Sequence, residues 1–296
     1  MKNINKLLLA ALVFAMIFTA NNLKAQDTKD SKIGLTVGLD YISNYIYRSQ
    51  YRYLGNFMNG GMLAPYVSYD VFDTGLSVGI KGEITEMWVW AEKDKEPNGT
   101  RYNCIDFNIN YMYNLKEIMT FNIGSWYFRH KTIPHNKIYT FNPSFFDFYL
   151  TAAIETLPLT PMLAVTYSYF TDKDSVRGIT PGGVWGDGNG KNGDLYIQFG
   201  IGHSFKLDDE TYFDLDVVAG WYDKNAYEEI AANGKDPKSA DISDIDLSAG
   251  LTTSFDMLSL STSFHYIIVP GTQYKHMGES VDIHKFYAKF GVSCSI

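Results

Sequence analysis

A serine and a histidine two positions apart are the residues whose types and spacing come nearest to catalysis. On a β-strand, Ser263 and His265 would share one face, because alternate side chains of a strand point the same way. A histidine can activate a serine hydroxyl when a third group orients the ring. Ser263 follows Ser261 and Thr262, however, without the Gly-x-Ser-x-Gly turn of many serine hydrolases. We expect a Ser/Thr-rich strand face here, no catalytic residues and no enzyme.

A Gly/Asn-rich stretch at 187–194 is the second candidate, because it faintly resembles a calcium loop. An EF-hand loop needs an oxygen ligand at its fifth position, glycine at the sixth and an acid at the twelfth. Those positions hold Lys191, Asn192 and Gln198. No other stretch resembles a zinc site or a phosphate-binding loop. We therefore expect no metal site and no cofactor, and 187–194 is interpreted as an outer loop.

Carboxylates recur along the chain on one side of alternating segments. In residues 104–113 the odd positions hold Ile105, Phe107, Ile109, Tyr111 and Tyr113, and the even ones include Asp106, Asn108 and Asn110. Such a period of two is typical of a strand with one apolar and one polar face.

The same pattern occurs in twelve segments. They lie at 32–47, 61–72, 75–91, 102–114, 118–130, 145–156, 162–171, 194–206, 211–223, 242–255, 258–269 and 281–296. Their connections alternate between tight links, such as 115–117, 207–210 and 256–257, and long polar ones, such as 48–60 and 172–193. This pattern predicts an all-β fold, a transmembrane antiparallel up-and-down β-barrel of about twelve strands with short periplasmic turns and long outer loops. Both termini would then be periplasmic.

The N-terminal segment is typical of a cleaved secretory signal. Lys2 and Lys6 precede an apolar run at 7–20, and small and polar residues lead to Ala25. The run is shorter than the roughly 20 residues of a bilayer-spanning helix. We expect residues 1–25 to be a signal peptide and residues 26–296 to form the barrel; an uncleaved anchor is the alternative.

Charge and cysteine content exclude some functions. The formal charge of −8 becomes about −11 without residues 1–25, which carry three lysines and no acid. Such a chain does not favour nucleic acid as a partner. Cys104 and Cys294 fall on opposite faces of their predicted strands, so no disulfide is expected.

The aromatic residues favour a membrane barrel over a soluble β-sandwich, whose apolar face would have to meet a second apolar face. Tyrosine and tryptophan gather on the apolar side near strand ends, where a lipid headgroup region favours amphipathic rings. These residues are Tyr45, Tyr47, Trp88, Trp90, Tyr111, Tyr113, Tyr167, Tyr169 and Trp221. Bacterial outer membrane is the expected location.

The polar face is then the lumen, and acids outnumber bases on it. The lumen-lining residues that we predict are Asp40, Arg48, Asp70, Lys81, Glu83, Asp106, Asp147, Glu155, Asp214, Asp216, Asp244, Asp246, His265, Lys285 and Lys289. Excess carboxylates would attract cations into a water-filled pore. The alternative is that these charges pair across the lumen and hold a non-conducting barrel together.

Two stretches resemble a known family. Residues 40–48 (DYISNYIYR) are similar to the opening strand of the TorF-type porins, which begin with a serine-x-tyrosine-x-aromatic-arginine pattern. Residues 65–69 (PYVSY), followed by Gly75, resemble that family's second strand. Ser49 departs from it, since the family usually has glycine there. The resemblance implies an outer-membrane pore, transfers Arg48 as a lumen or rim residue, and brings no catalytic residues.

The sequence therefore favours a porin-like channel that passes small polar solutes, with a preference for cations. Expected partners are outer-membrane lipid and lipopolysaccharide, the barrel-assembly machinery during insertion, and the solutes themselves. The alternatives are an outer-membrane barrel enzyme of the lipase or acyltransferase type and a structural or adhesive barrel that acts through its outer loops.

Overall fold

The computed structural model describes residues 33–43, 61–71, 74–85, 100–116, 118–134, 144–170, 178–180, 183–185, 194–222, 241–268 and 284–296. The strands within them are β1 (Leu35–Ile42), β2 (Met62–Asp70), β3 (Leu76–Thr85), β4 (Thr100–Leu115), β5 (Met119–Pro134), β6 (Ser144–Ile154), β7 (Met162–Phe170), β8 (Gly178–Thr180), β9 (Gly183–Trp185), β10 (Asp194–Lys206), β11 (Thr211–Tyr222), β12 (Asp241–Phe255), β13 (Leu258–Ile268) and β14 (His284–Ser295). No helix in this part of the chain is long and apolar enough to cross a membrane.

Twelve of these strands form one closed barrel. Each pairs antiparallel with its neighbours in the chain, β7 pairs with β10, and β1 closes the ring against β14. The predicted up-and-down barrel of twelve strands is confirmed. The predicted segments agree closely with the observed strands. The segment 194–206 has the same bounds as β10, and the segment 211–223 extends one residue beyond β11.

A small additional sheet lies within the connection 172–193, which the sequence indicated only as a long polar loop. Strands β8 and β9 pair antiparallel over three residues each, with Ile179 opposite Val184. Three residues are too few for a period of two to stand out from chance, so sequence alternation does not detect such a hairpin.

The tight turns lie at one end of the barrel together with residues 33–35, the first that the structure describes, and Ile296, and backbone hydrogen bonds connect them laterally. Leu35 and Ile296 exchange backbone hydrogen bonds of 3.2 and 2.8 Å across the β1–β14 seam. Gly75 has a φ of +79°, and a Cβ there would collide with the Met112 carbonyl oxygen. The Gly75 carbonyl accepts the Met112 N–H at 2.8 Å, and this pairing brings the two backbones too close for a side chain at position 75. The turn end is thus a continuous ring of backbone hydrogen bonds.

The outward face of the barrel is apolar and open. Ile105, Ile109 and Ile123 are each more than half exposed, and Phe148 and Phe199 are 49% and 59% exposed. A soluble fold would bury such a band, whereas lipid is a favourable solvent for it. These exposed residues occupy the apolar positions of the alternating pattern.

Aromatic side chains mark both ends of this band. Tyr111 and Tyr113 are 43% and 50% exposed near the turn that follows β4, and Tyr167 and Tyr169 are each 42% exposed near the opposite end of β7. Trp221 is half-buried. The other aromatic residues predicted for the girdles, Tyr45, Tyr47, Trp88 and Trp90, lie outside the described residues.

Candidate functional site in the barrel lumen

The interior of the barrel holds a cavity of about 780 Å³. Strand parity brings the polar side of the alternating segments to it. Eight residues predicted for the lumen line this cavity: Lys81, Glu83, Asp106, Asp147, Asp214, Asp216, His265 and Lys289. The remaining lining is largely small or hydroxyl-bearing, with serine, threonine and glycine from β12 and β13.

One side of the lumen, which we name the open wall, is formed by β11 to β14. Asp214 and Asp216 on β11 line the cavity and are half-buried, so water reaches both carboxylates. The Ser248 hydroxyl on β12 donates to Asp216 Oδ2 at 3.4 Å. Asp40 on β1 pairs with Lys289 on β14 at 3.0 Å beside this wall.

Three polar residues of the open wall form a chain of contacts. The Ser263 hydroxyl lies 3.0 Å from His265 Nε2. The other ring nitrogen, Nδ1, lies 3.1 Å from Asp246 Oδ2 and 3.3 Å from Oδ1. The imidazole also stacks on the Tyr287 ring, with centroids 4.3 Å apart and planes 4° from parallel. A serine, a histidine and an aspartate are therefore connected through both nitrogens of one imidazole.

The opposite side, the packed wall, is formed by β2 to β6 and contains buried charge. Glu83 and Asp106 are 3% and 1% exposed. The Lys81 ammonium donates to Glu83 Oε1 at 3.0 Å, and the Cys104 thiol donates to Asp106 Oδ1 at 2.7 Å. Asp106 Oδ2 is buried without a hydrogen-bond partner.

Glu83, Cys104 and Asp106 could also serve as metal ligands, since one donor atom of each lies within 4.8 Å of the others. The Lys81 ammonium already occupies the position of a counter-ion, at 3.0 Å from Glu83. A divalent ion would have to displace that ammonium and the thiol proton, so the arrangement favours an internal ion pair over a metal site.

Two further predicted acids are buried against hydroxyl groups. Asp147, 2% exposed, accepts a short hydrogen bond from Ser168 on β7. Asp244, 4% exposed, accepts from the Tyr196 hydroxyl at 3.2 Å. These contacts satisfy carboxylate oxygens where water does not reach them.

Apolar side chains also face the interior, which the sequence analysis did not anticipate. Met62, Phe128 and Phe145 are buried together, and Ile42 and Trp126 pack against them. The Phe128 and Phe145 rings stack with centroids 4.6 Å apart. None of these bulky side chains is among the lumen residues that the sequence predicted. Bulky residues occupy both parities of β5 there, so alternation does not reveal which ring points inward.

The last predicted residues lie at the margins. Asp70 is exposed at the end of β2, where its N–H donates to the Gly34 carbonyl at 2.8 Å. Glu155 is exposed in the turn after β6 rather than on the strand. Arg48 and the side chain of Lys285 lie outside the described residues.

The lumen residues predicted from the sequence do not include the tyrosines that line the cavity, Tyr149 and Tyr287. The Tyr149 hydroxyl donates to Asn110 at 3.0 Å and lies 3.3 Å from the Asn108 amide. Its ring lies over Gly124, where an added Cβ would be 2.5 Å from the hydroxyl oxygen. Glycine opposite an interior tyrosine on the neighbouring strand is the signal that could have located it.

No known protein family and no curated relative matches this chain. Solved structures of similar shape include an outer-membrane channel from Pseudomonas putida F1, at 10% identity, a TM-score of 0.49, and coverage of 92% of this chain and 100% of that one. The NanC porin matches at 9% identity and a TM-score of 0.48, with 88% and 100% covered. The translocator domain of the autotransporter NalP from Neisseria meningitidis matches at 11% identity and 0.47, with 97% of both chains covered.

Strand pairing and exposure define the class of protein without those likenesses. A closed, even-numbered antiparallel ring with an apolar outer band and a charged interior is an outer-membrane-type β-barrel. The resemblance of the first two strands to TorF-type porins stays a prediction.

Proposed function

We propose that the chain is an outer-membrane channel that passes small polar solutes and favours cations. The observation that carries the proposal is the cavity of about 780 Å³ among interior carboxylates, in a barrel whose outside is apolar. Water-filled space lined by fixed charge is what a selective pore requires.

The charge balance supports the cation preference. Among the described residues the interior acids are Asp40, Glu83, Asp106, Asp147, Asp214, Asp216, Asp244 and Asp246, whereas Lys81 and Lys289 are the lysines that line the cavity. Each of these two lysines is paired with an acid at 3.0 Å. The remaining carboxylates give the lumen a negative potential, which raises the local concentration of cations.

The proposal includes a location and an orientation. Residues 1–25 act as a cleaved secretory signal, the barrel-assembly machinery inserts the chain, and lipid and lipopolysaccharide surround the apolar band. The ring of tight turns and both termini face the periplasm, because outer-membrane barrels carry their short turns there. Membership of the TorF-type porin family is part of the same proposal and rests on residues 40–48 and 65–69.

Two measurements test this function. Full-length protein refolded into detergent and added to a planar bilayer should produce discrete conductance steps. Across a salt gradient, the sign of the reversal potential should be that of a cation-selective channel. A bilayer that stays silent, where a reference porin conducts under the same conditions, contradicts the channel. Barrel formation is checked separately by gel migration, which should differ between unheated and boiled samples.

A further inference from the structure

We propose that Ser263, His265 and Asp246 form a hydrolytic triad inside the lumen that acts on small, water-soluble carboxylic esters. This activity is additional to conduction and does not depend on it.

The contacts connect the three groups in the order that nucleophilic catalysis requires. Ser263 lies 3.0 Å from Nε2, and Asp246 Oδ2 lies 3.1 Å from Nδ1 of the same ring. Of the two neutral tautomers, only the one with its proton on Nδ1 satisfies both contacts, because Nδ1–H then donates to the carboxylate and the serine hydroxyl donates to Nε2. That tautomer leaves Nε2 free to take the serine proton, which is the role of the base in a Ser-His-Asp triad.

The backbone holds these groups on two adjacent strands. Ser263 and His265 share the inward face of β13, and His265 lies directly opposite Ser248 on β12, two residues from Asp246. Tyr287, directly opposite His265 on β14, stacks flat on the imidazole with centroids 4.3 Å apart. The ring is therefore fixed in position by a hydrogen bond on one edge and by an aromatic face. A site on paired strands holds its geometry better than one on loops.

Exposure separates this triad from the buried polar contacts of the packed wall. The His265 and Asp246 side chains are 18% and 24% exposed, whereas Glu83 and Asp106 are nearly inaccessible. Ser263 and His265 both line the cavity. A solute in the lumen can therefore reach the serine hydroxyl, and the cavity of about 780 Å³ has room for a small ester.

The face of the strand determines the substrate class. The residues on either side of His265 on β13, Phe264 and Tyr266, point outward and are 46% and 39% exposed. The triad thus faces the aqueous interior, whereas an enzyme acting on bilayer lipid would need its nucleophile on the outward face. Soluble esters fit this placement and membrane phospholipids do not.

The reaction proceeds through an acyl-enzyme. Ser263 Oγ forms a bond to the ester carbonyl carbon as its proton passes to His265 Nε2, and the carbonyl oxygen becomes an oxyanion. The C–O bond to the alcohol then breaks, and the leaving alkoxide takes the proton from Nε2. Water attacks the acyl-serine by the same route, which releases the acid and restores the serine. Lys289, directly opposite Ser263 and lining the same cavity, supplies positive charge near the oxyanion.

The test is covalent labelling and turnover of the full-length refolded barrel. A fluorophosphonate probe should label one residue, which peptide mass spectrometry identifies as Ser263, and p-nitrophenyl acetate should be hydrolysed. Ser263→Ala should abolish both, and Asp246→Asn should lower the turnover number by about 10²-fold or more. The matched control is Ser259→Ala, on the same strand and face but outside the cavity lining, which should keep wild-type rates.

Folding of each variant is checked by its heat-dependent gel migration. Labelling of the wild-type chain needs no variant at all, so a misfolded mutant leaves the test intact. Absence of label on the folded wild-type barrel, label spread equally over other serines, or unchanged hydrolysis in Ser263→Ala would each overturn the triad. None of these results bears on conductance, which is measured separately.

Discussion

Each wall of the lumen has a lysine–carboxylate ion pair with the same contact distance, but the two pairs differ in their exposure to water. Lys81 and Glu83 on the packed wall are 3.0 Å apart, with side chains 27% and 4% exposed. Lys289 and Asp40 beside the open wall are also 3.0 Å apart, but 41% and 14% exposed. Water screens the second pair more than the first. The packing around each ion pair, and not its contact distance, therefore determines how well water can reach its charges.

Aromatic packing produces the difference. Phe128 and Phe145 stack beside Asp106 and Asp147, which are only 1% and 2% exposed. The open wall has serine and glycine at corresponding places, with Ser248 and Gly250 facing Asp216 and Asp214. Small side chains leave room for water beside Asp214 and Asp216, which are both half-buried.

The largest effect is expected from emptying the packed wall. Phe145→Ala should lower the free energy of unfolding by about 3–5 kcal/mol, since the ring is 1% exposed and its removal leaves a cavity. Urea titration of the barrel in detergent, followed by gel migration, measures the change. Thr151→Ala, on the same face of β6 and half-buried, should change it by less than about 1.5 kcal/mol. Equal losses would show that the buried Phe145 ring contributes no more to stability than a half-buried side chain of the same strand.

The ion pairs give the sharpest contrast. Lys81→Met should cost about 3 kcal/mol of unfolding free energy, because it leaves the buried carboxylates Glu83 and Asp106 without the neighbouring ammonium. Lys289→Met should cost less than about 1 kcal/mol, as for an exposed pair. The same titration measures both variants. A larger loss for Lys289→Met would reverse our assignment of the walls.

Ion selectivity should depend on the open wall. A unit charge about 10 Å from an ion in water changes its energy by about 0.4 kcal/mol, or roughly twofold in occupancy. Each carboxylate raises cation occupancy and lowers anion occupancy by about twofold, so Asp214→Asn and Asp216→Asn together should reduce the cation-to-anion permeability ratio by up to about sixteenfold at low salt. Reversal potentials across a salt gradient measure this ratio.

A charge-neutral change on the packed wall is the matched control for selectivity. The double variant Lys81→Met/Glu83→Gln removes one charge of each sign, so the reversal potential should stay at the wild-type value. A wild-type potential in the Asp214/Asp216 variant would reject fixed carboxylate charge as the cause of selectivity.

The smallest effect is expected in the β10–β11 turn, outside both walls. Hydrogen bonds from the Glu210 N–H and the Thr211 hydroxyl lower the pKa of Asp208 below its ordinary value. Its contribution to stability is therefore present above the ordinary pKa of aspartate and is lost as pH falls through the lower folded value. Asp208→Asn should slightly weaken the turn at neutral pH, and the difference from wild type should vanish in acid. Unfolding midpoints at both pH values measure this; a difference that grows in acid would contradict it.

Much of the fold was predictable because strand alternation is local. The outward apolar residues of β4, such as Ile105 and Ile109, can be assigned from neighbours in the chain, and most strand ends follow within three residues. The interior was less predictable. Trp126 and Phe128 face inward while Tyr127 between them faces out, and three aromatic residues in a row carry no parity signal.

Sequence alone determined the outward face of the strands that alternate strictly, such as β4, since parity follows from covalent geometry. It also placed Ser263 and His265 on one face. The tertiary structure alone brought Asp246, 19 positions away in the chain, to the far side of the imidazole. That contact depends on the register between β12 and β13, and register is determined by turn geometry and ring closure, which no single strand encodes.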